Sequence, residues 1–404
     1  MESVLVLGGD GFCGWPTALY LSARGYRVGI LDNLSRRRID MELKADSLTP
    51  IASMSDRLAI WARLGHGDMP FFELDIARDY DGLRRVLREF KPTAIVHFAE
   101  QRSAPYSMAG STHKRYTVDN NISGTHNLLV ALVELDMDAH IVHLGTVGVY
   151  GYDGSEVPMP EGYIDVEVIG PDGTRYPRSI LYPTEPGSIY HMTKSMDQLM
   201  FQFFAHNDRL RITDLHQGIV WGIQTHETRL HDMLINRFDY DGDYGTVLNR
   251  FLVQAVMRHP LTVHGTGGQT RGFININDTV RCLHLALQNP PKKGDRVKIF
   301  NQVAETKRVI DVAQMVARHT DAQIAFVDNP RKEAAENDLA VTNAGFQGLG
   351  WEPVLLHHEQ LRETLEIVRR FRFRYAPETV AARSLWTREQ KPGVVRKKVG
   401  NRHA

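Results

Sequence analysis

The amino-terminal segment constrains the fold of this chain more than any other stretch. An apolar run at residues 4–7 leads directly into glycines spaced as G-x-x-G-x-x-G, at Gly8, Gly11 and Gly14, and an amphipathic segment follows. A second apolar run then ends in Asp32. This order is typical of a βαβ unit that binds a dinucleotide, because the glycines permit a tight turn, close approach to a pyrophosphate and close helix packing. The N–H groups at the helix start favour phosphate.

The acidic residue that ends the second apolar run indicates which dinucleotide is bound. A carboxylate at Asp32 can accept both ribose hydroxyls of an adenosine and would repel a 2′-phosphate, which favours NAD over NADP. Arg36, Arg37 and Arg38 follow closely and weaken this preference. The alternative is a glycine-rich turn without a ligand, which the surrounding strand, helix and acid make the weaker interpretation. We therefore expect NAD as the cofactor.

Composition excludes several classes of protein. The chain has 404 residues, 42% hydrophobic and 24% charged, with 48 basic and 48 acidic residues. This balance gives no indication of a nucleic-acid or membrane partner, and no apolar run reaches the roughly 18 residues of a membrane span. The first strand begins at residue 3 or 4, and one of only two cysteines, Cys13, lies within the glycine turn. We expect a reducing, cytoplasmic location without a leader peptide and without a structural disulfide.

Apolar runs alternate with helical patterns through the first half of the chain, for example a helical pattern at residues 127–135. This alternation predicts an α/β protein of the Rossmann type, with a doubly wound parallel sheet and a smaller mixed α/β C-terminal substrate domain. A mostly helical excursion is predicted at 35–68, and loops with a hairpin after residue 151. The predicted cofactor domain comprises residues 1–215 and about 276–305. The predicted substrate domain comprises about 216–275 and 306–390, with a flexible tail at 391–404.

A candidate catalytic group follows the predicted sheet. Tyr190 and Lys194 are separated by one helical turn and therefore share a face of the predicted helix. The lysine ammonium can lower the pKa of the tyrosine and hold a nicotinamide ribose, so that Tyr190 takes the proton of a substrate alcohol. Thr146 ends a predicted strand at the edge where α/β proteins bind ligands, and its hydroxyl can bond the same alcohol.

With these motifs the chain resembles the extended short-chain dehydrogenase/reductase superfamily, whose members modify nucleotide sugars, and within it the sulfoquinovose synthases. The specific blocks are Gln-Arg-Ser-Ala-Pro-Tyr-Ser at 101–107 and Gly-Gly-Gln-Thr-Arg-Gly at 267–272. Further similar segments lie at 8–15, 32–34, 47–53, 190–194 and 245–251. The resemblance covers nearly the whole chain. It implies an NAD enzyme with a nucleotide-diphosphate sugar as substrate, and we also expect a homodimer.

In that family NAD oxidises the C4 hydroxyl of the sugar, and the 4-keto group acidifies the C5 proton. Water then leaves C6, sulfite adds, and the hydride returns to C4. The resemblance assigns this apparatus to Thr146, Tyr190 and Lys194, with His191 as a proton carrier near the sugar. No histidine or cysteine spacing suits a metal, so we expect none.

The remaining candidate residues divide between cofactor and substrate. The cofactor candidates are Gly8, Gly11, Phe12, Cys13, Gly14, Asp32, Asn33, Arg36, Asp75, Ile76, Phe98, Tyr190, Lys194 and Gln217. The substrate candidates supply cations and amides for a diphosphate and sugar hydroxyls. They are Gln101, Arg102, Ser103, Thr146, Gln217, Thr246, Asn249, Arg250, Gln269, Arg271 and Arg331.

One departure from the family pattern bears on the reaction. Where the synthases read Gly-Thr-Met-Gly-Glu-Tyr-Gly, this chain has Val149 in place of the glutamate, and Val147-Gly148 where 4,6-dehydratases carry Asp-Glu. Loss of an acid/base group typically costs about 10²–10⁴-fold, so we expect C4 oxidation to survive and elimination to suffer. This favours an epimerase over a sulfoquinovose synthase. An inactive NAD-binding scaffold is the third alternative.

Overall fold

The computed structural model describes residues 2–151, 158–331, 335–337 and 339–381; the tail predicted at 391–404 lies outside them. The strands are β1 (Ser3–Leu7), β2 (Arg27–Asp32), β3 (Phe71–Glu73), β4 (Ala94–His97), β5 (His140–Thr146), β6 (Tyr163–Ile169), β7 (Arg175–Leu181), β8 (Ile212–Gln217), β9 (Ile219–Trp221), β10 (Leu261–His264), β11 (Gly268–Asn275), β12 (Lys298–Gln302), β13 (Glu305–Arg308), β14 (Ile324–Val327) and β15 (Glu336–Asn337). The helices are α1 (Gly14–Ala23), α2 (Ser35–Leu43), α3 (Met54–Arg63), α4 (Tyr80–Phe90), α5 (Ala104–Met108), α6 (Ser111–Glu134), α7 (Ile189–Asn207), α8 (Val247–Val256), α9 (Ile276–Gln288), α10 (Val309–Thr320), α11 (Ala344–Gly348) and α12 (His358–Phe371).

The main sheet has seven parallel strands in the order β12-β8-β5-β4-β1-β2-β3, which confirms the predicted fold class. The strand order reverses between β1 and β4, and in such sheets ligands bind in the crevice beyond the carboxyl ends at this point. Successive side chains of β1 face opposite ways, as a strand requires. Val4 and Val6 join one apolar core, and Leu5 and Leu7 join the other. The sheet is thus covered on both faces.

A second set of elements packs beside the carboxyl edge of the main sheet. Strand β11 pairs antiparallel with β13 and parallel with β9 and β15, and β10 pairs with β14. Helices α8, α10 and α12 share an apolar core that includes Phe251, Val312 and Leu365. The chain returns to the main sheet at β12, within the stretch 276–305 assigned to the cofactor domain. The two-domain division remains our interpretation.

Two predictions about the segments between strands agree with the structure, and the predicted start of one helix does not. The excursion after β2 contains α2 and α3, and β6 and β7 form an antiparallel hairpin. Helix α6, however, begins at Ser111, far earlier than the pattern at 127–135 predicts. Its first two thirds bury the polar Thr117, Asn121 and Thr125, so the apolar periodicity that reveals a helix is weak there. Among the described residues, no helix combines the length and apolarity that a bilayer crossing requires.

Candidate active site

The glycine turn brings β1 and α1 unusually close together. Gly8 has φ of +79°, and a Cβ there would lie 2.7 Å from the carbonyl carbon of Phe98 on the next strand connection. A Cβ on Gly14 would lie only 2.1 Å from the carbonyl oxygen of Gly8. A side chain at either position would therefore collide with backbone. The turn leaves the start of α1 facing the crevice at the switch point, where its N–H groups favour phosphate.

Asp32 stands at the end of β2 on the wall of this cleft. Its carboxylate accepts hydrogen bonds from the backbone N–H of Asp10 at 2.9 Å and of Leu34 at 2.7 Å. Burial and the charge of Asp10 raise the pKa of Asp32 to about 6. Asp10 is itself paired with Arg37 at 2.6 Å and Arg57 at 2.8 Å. Backbone bonds thus orient Asp32 at the position where an adenosine ribose is expected.

The other cofactor candidates line the same cleft. Asn33 donates its side-chain amide to Asp75 at 3.1 Å, which joins the ends of β2 and β3. Arg36 lines the cleft, and its guanidinium contacts Asp239 at 3.1 Å and lies 3.7 Å from the ring centre of Tyr244. The arginine thereby ties α2 to the loop before α8.

Cys13 and Gln217 face each other across the base of the cleft, with Sγ 4.0 Å from the amide oxygen. Burial raises the pKa of Cys13 to about 12, so its thiol stays protonated. The amide nitrogen of Gln217 donates to the hydroxyl of Thr279 at 2.9 Å.

The predicted catalytic residues meet at the carboxyl end of β5 and the start of α7. The hydroxyl of Thr146 accepts from Gly148 N–H at 3.1 Å, which leaves its own O–H to donate to a ligand. Ser188 caps α7 by accepting from the N–H of His191. Lys194, one turn after Tyr190, donates from Nζ to the carbonyl oxygen of Leu144 at 2.7 Å. The cap and this bond set the tyrosine, histidine and lysine along one wall of the cleft.

His191 is buried against Gly148. A Cβ added at Gly148 would lie 2.4 Å from Nε2 of His191. Its Nδ1 lies 3.1 Å from the hydroxyl of Ser188. Burial, together with the charges of Arg331 and Arg271, lowers the pKa of His191 to about 3. The imidazole is therefore neutral at ordinary pH.

The structure shows where the valine that replaces the family's glutamate lies. Val147 lines the cleft, whereas Val149 is buried in a separate apolar cluster with Met159, Val303 and Leu339. The cause is local: residues 147–150 form a 3₁₀ turn directly after β5. A glutamate at position 149 on this backbone would enter the apolar cluster rather than the cleft. Its absence therefore removes no cleft group.

The substrate candidates after β4 form a wall held together by internal bonds. Gln101 donates its amide to Thr117 at 3.0 Å. Arg102 pairs with the carboxylate of Asp239, and the hydroxyl of Ser103 donates to the carbonyl oxygen of Asp243. These bonds join the segment after β4 to the loop before α8.

Arginines from separate elements converge at the far end of the cleft. Arg250 on α8, Arg271 on β11 and Arg331 all line it. Burial and the charge of Arg331 lower the pKa of Arg250 to about 10, so it remains cationic near neutrality. Thr246 and Gln269 line the cleft beside them.

Asn249 is the exception among the predicted site residues, since it does not line the cleft. Its amide donates to the carbonyl oxygen of Asp239 at 2.9 Å and so holds the loop. The cleft brings together all the others, which are Gly8, Gly11, Phe12, Cys13, Gly14, Asp32, Asn33, Arg36, Asp75, Ile76, Phe98, Gln101, Arg102, Ser103, Thr146, Tyr190, His191, Lys194, Gln217, Thr246, Arg250, Gln269, Arg271 and Arg331.

Sequence reasoning missed a buried group of titratable residues behind Lys194. Its members are Glu100, His143, Asp197, Asp214 and His216. The available signal was the presence of polar residues within β5 and β8, because central parallel strands are normally apolar runs. Glu100, His143 and Asp197 each bring one nitrogen or carboxylate oxygen within 4.8 Å of the others. The Lys194 ammonium contacts the first two, and the expectation of no metal remains a prediction.

Comparison with known proteins identifies the family. The sequence profile of the NAD dependent epimerase/dehydratase family matches residues 4–301. The chain belongs to this family. It is 41% identical over 95% of its length, and 79% of the relative's, to "UDP-sulfoquinovose synthase, chloroplastic" of Spinacia oleracea. It is 39% identical to UDP-sulfoquinovose synthase of Sulfolobus acidocaldarius, covering 87% of this chain and 88% of the relative.

Solved structures agree with the fold. The UDP-glucose 4-epimerase of Thermus thermophilus, solved in complex with NAD, aligns with a TM-score of 0.61 at 22% identity. The alignment covers 91% of this chain and 99% of that one. The cofactor of the present protein is NAD. The cleft fits this cofactor because Gly8 and Gly14 leave no room for a side chain, the start of α1 faces the cleft, and Asp32 is oriented by backbone hydrogen bonds.

Proposed function

We propose that this enzyme is a UDP-sulfoquinovose synthase, which joins sulfite to the glucose of UDP-glucose. The observation that carries the proposal is the burial of Val149 outside the cleft. It removes the objection that an elimination acid has been lost from the sugar site. The two synthases similar over most of the chain support the same choice.

The proposed reaction balances in four steps. Oxidation at C4 gives a ketone, the C5 proton leaves with the C6 hydroxyl as water, and a C5=C6 double bond forms. Sulfite then adds through sulfur to C6 while a proton returns to C5, and reduction restores the C4 alcohol. The net change replaces the C6 hydroxyl by a sulfonate and releases one water. When bound, NAD supplies a reversible hydride acceptor at C4.

Three residues serve the oxidation at C4, two at the C4 oxygen and one at the tyrosine. Tyr190 accepts the proton of the C4 hydroxyl at its phenolic oxygen and returns it in the last step. Thr146 donates its O–H to the C4 oxygen, while one lone pair of its own oxygen accepts from Gly148 N–H. Lys194 keeps a positive charge near the tyrosine, which favours the phenolate. The proton taken at C4 is the proton returned, so this part of the cycle needs no exchange with solvent.

His191 is the residue suited to the C5 proton. Its imidazole is neutral, as a proton acceptor must be, although burial and the nearby arginines make it a weak base toward the C5 proton that the ketone acidifies. The resulting imidazolium can pass a proton to the departing C6 hydroxyl. Burial, with the charges of Arg331 and Arg271, holds the pKa of His191 low and would favour prompt release of that proton.

The arginines at the far end of the cleft suit the nucleotide diphosphate. Arg250, Arg271 and Arg331 place three guanidinium groups from different elements around one space. Arginine binds phosphate oxygens through paired N–H donors. The sugar is thereby placed between this cationic end and the Thr146–Tyr190 wall.

The test uses the purified protein with UDP-glucose and sulfite in D₂O, analysed by mass spectrometry and NMR. The proposal expects UDP-sulfoquinovose that carries one deuterium at C5. UDP-galactose without deuterium would instead establish the 4-epimerase, the candidate that the apolar Val147 at the strand end favours. No change in sugar or in bound NAD with either UDP-glucose or UDP-galactose would favour the inactive scaffold. The Tyr190→Phe variant serves as the negative control.

A further inference from the structure

Glu100 lies directly behind the lysine of the active site. It follows β4, and its Oε2 lies 2.7 Å from Lys194 Nζ. Its Oε1 lies 3.0 Å from His143 Nε2 and accepts from the hydroxyl of Thr125 at 3.2 Å. The side chains of Glu100, Lys194 and His143 are at most 4% exposed. Water therefore cannot replace these contacts.

His143 is held as a cation between two carboxylates. Its Nδ1 lies 2.8 Å from Asp214 Oδ1, and its Nε2 faces Glu100. Burial and Lys194 oppose a charge on the imidazole, but Asp214 and Glu100 outweigh them and raise the pKa of His143 to about 9. Asp214 also contacts His216 at 3.0 Å, which extends the group away from the cleft.

Other titratable groups complete the surroundings of this carboxylate. His97 on β4 lies 3.6 Å from Glu100, and burial lowers its pKa to about 3, so it is neutral. Asp197 on α7 has a carboxyl oxygen 3.7 Å from His143 Nε2, and burial and Glu100 raise its pKa well above the usual range. Tyr190 faces Lys194 from the same helix. Lys194, Glu100, His143 and Asp214 are thus charged near neutrality.

Glu100 offsets an electrostatic repulsion between Lys194 and His143. Lys194 Nζ and His143 Nε2 lie 3.0 Å apart, and two cations at this distance repel strongly in a buried site. Glu100 contacts both, and it raises the pKa of Lys194 above its ordinary value despite burial. The ammonium has three N–H donors. Leu144 O accepts from one of them, and Glu100 Oε2 lies 2.7 Å from Nζ as an ion pair, so the ammonium is held at the wall of the cleft.

We propose that Glu100, backed by His143, is a positioning residue that keeps Lys194 charged and directs it to the cleft. This inference rests on the proposed function only in that C4 oxidation requires Lys194. Removing the negative charge of Glu100 makes proton loss easier at Lys194 and at the C4 base. Removing the positive charge of His143 makes proton loss harder at both. The two substitutions must therefore move the pH dependence in opposite directions.

The experiment measures the pH profile of NAD reduction when UDP-glucose is added to the holoenzyme in a stopped-flow instrument. In Glu100→Gln both limbs of the profile should move to lower pH, by about one unit or more at the alkaline limb, since an adjacent opposite charge shifts a pKa by about 1–3 units. In His143→Gln both limbs should move to higher pH. Glu227→Gln is the matched control, because it removes a buried glutamate paired with Arg24 at 3.2 Å outside the cleft. Its profile should keep the wild-type limbs.

Several outcomes would overturn the proposal. Unshifted limbs in both variants, or shifts in the same direction, would show that the pair is merely structural. If Glu100→Gln does not fold, the direction of the shift in His143→Gln decides alone. A second readout needs no sugar: the NMR titration of ¹⁵Nζ-labelled lysine, with Lys194 assigned by the Lys194→Arg variant. Lys194 should lose its proton at lower pH in Glu100→Gln. A wild-type protein that fails to reduce NAD with UDP-glucose would contradict the proposed function but leave this titration decisive.

Discussion

Tyr190 is anchored through its backbone at the first turn of α7. Its N–H donates to the hydroxyl of Ser107 at 3.1 Å, and that hydroxyl donates to Ala104 O at 2.7 Å. The short helix α5 therefore sets the position of the tyrosine. The residues after β4 thus position Tyr190 as well as lining the cleft.

The Tyr190→Phe substitution should stop C4 oxidation, because it removes the group that accepts the alcohol proton. We expect the rate of NAD reduction by UDP-glucose to fall by about 10²–10⁴-fold, with unchanged thermal stability. The measurement is absorbance of the reduced nicotinamide after rapid mixing. Tyr176→Phe on the exposed face of the hairpin is the control and should react as the wild type. Near-normal reduction in Tyr190→Phe would remove the tyrosine from the proposed mechanism.

Val149→Glu should destabilise the protein rather than create an acid in the cleft. The side chain is 1% exposed within an apolar cluster, and a buried carboxyl without a partner is costly. We expect a loss on the order of 3 kcal/mol in the free energy of unfolding, measured by denaturant titration. Val168→Glu, at a half-exposed hairpin valine, should change it by less than about 0.5 kcal/mol. A stable Val149→Glu enzyme with faster sulfonation would refute this placement.

At the scale of elements, the close approach of the start of α1 to the end of β1 requires a residue without a side chain at Gly14. The Cβ of an alanine at Gly14 would lie 2.1 Å from Gly8 O and 2.9 Å from the Cα of Gly9. Both atoms belong to backbone, so no rotamer change relieves the contact. The helix start must then move away from the sheet and from the phosphate position.

Gly14→Ala should therefore lose bound NAD and stability together. We expect a cost of about 3 kcal/mol, at the upper end for overpacking, and less than stoichiometric NAD in the supernatant after denaturation. Gly67→Ala is the control, because nothing lies within 4 Å of its added Cβ. Full NAD content in Gly14→Ala would show that the turn tolerates a side chain.

At the scale of the whole molecule, one helix presents an apolar face to solvent. Met196, Leu199 and Phe203 on α7 are 37%, 65% and 57% exposed and lie at i, i+3 and i+7 on one side. Contiguous exposed apolar patches mark interaction sites, and most soluble assemblies are symmetric dimers. We propose that this face is the contact between two copies in the expected homodimer.

The double variant Leu199→Glu/Phe203→Glu should be a monomer, because two carboxylates would face two others across the symmetry axis. Sedimentation velocity of the wild type and the variant measures this. Phe373→Glu, at a residue 79% exposed after α12, should leave the dimer intact. A wild type that sediments as a monomer, or a double variant that remains dimeric, would exclude this interface.

The amino-acid sequence determined the local units of this protein. The glycine turn, the end of β2 at Asp32 and the Tyr190–Lys194 spacing follow from contacts within a few residues, and the structure places them as predicted. Alternating strands and helices likewise predict a parallel sheet, since a βαβ unit closes in one way.

Only the tertiary structure decided which side chains share a space. Val149 and Asn249 leave the cleft because a 3₁₀ turn and a loop carbonyl redirect them. Glu100, His143 and Asp214 meet behind Lys194 because β4, β5 and β8 are neighbours in the sheet. His143 lies 43 positions from Glu100 and 71 from Asp214 in the chain, so no local pattern links these residues. The charges of Glu100, His143 and Asp214 interact because the order of the strands in the sheet buries them side by side.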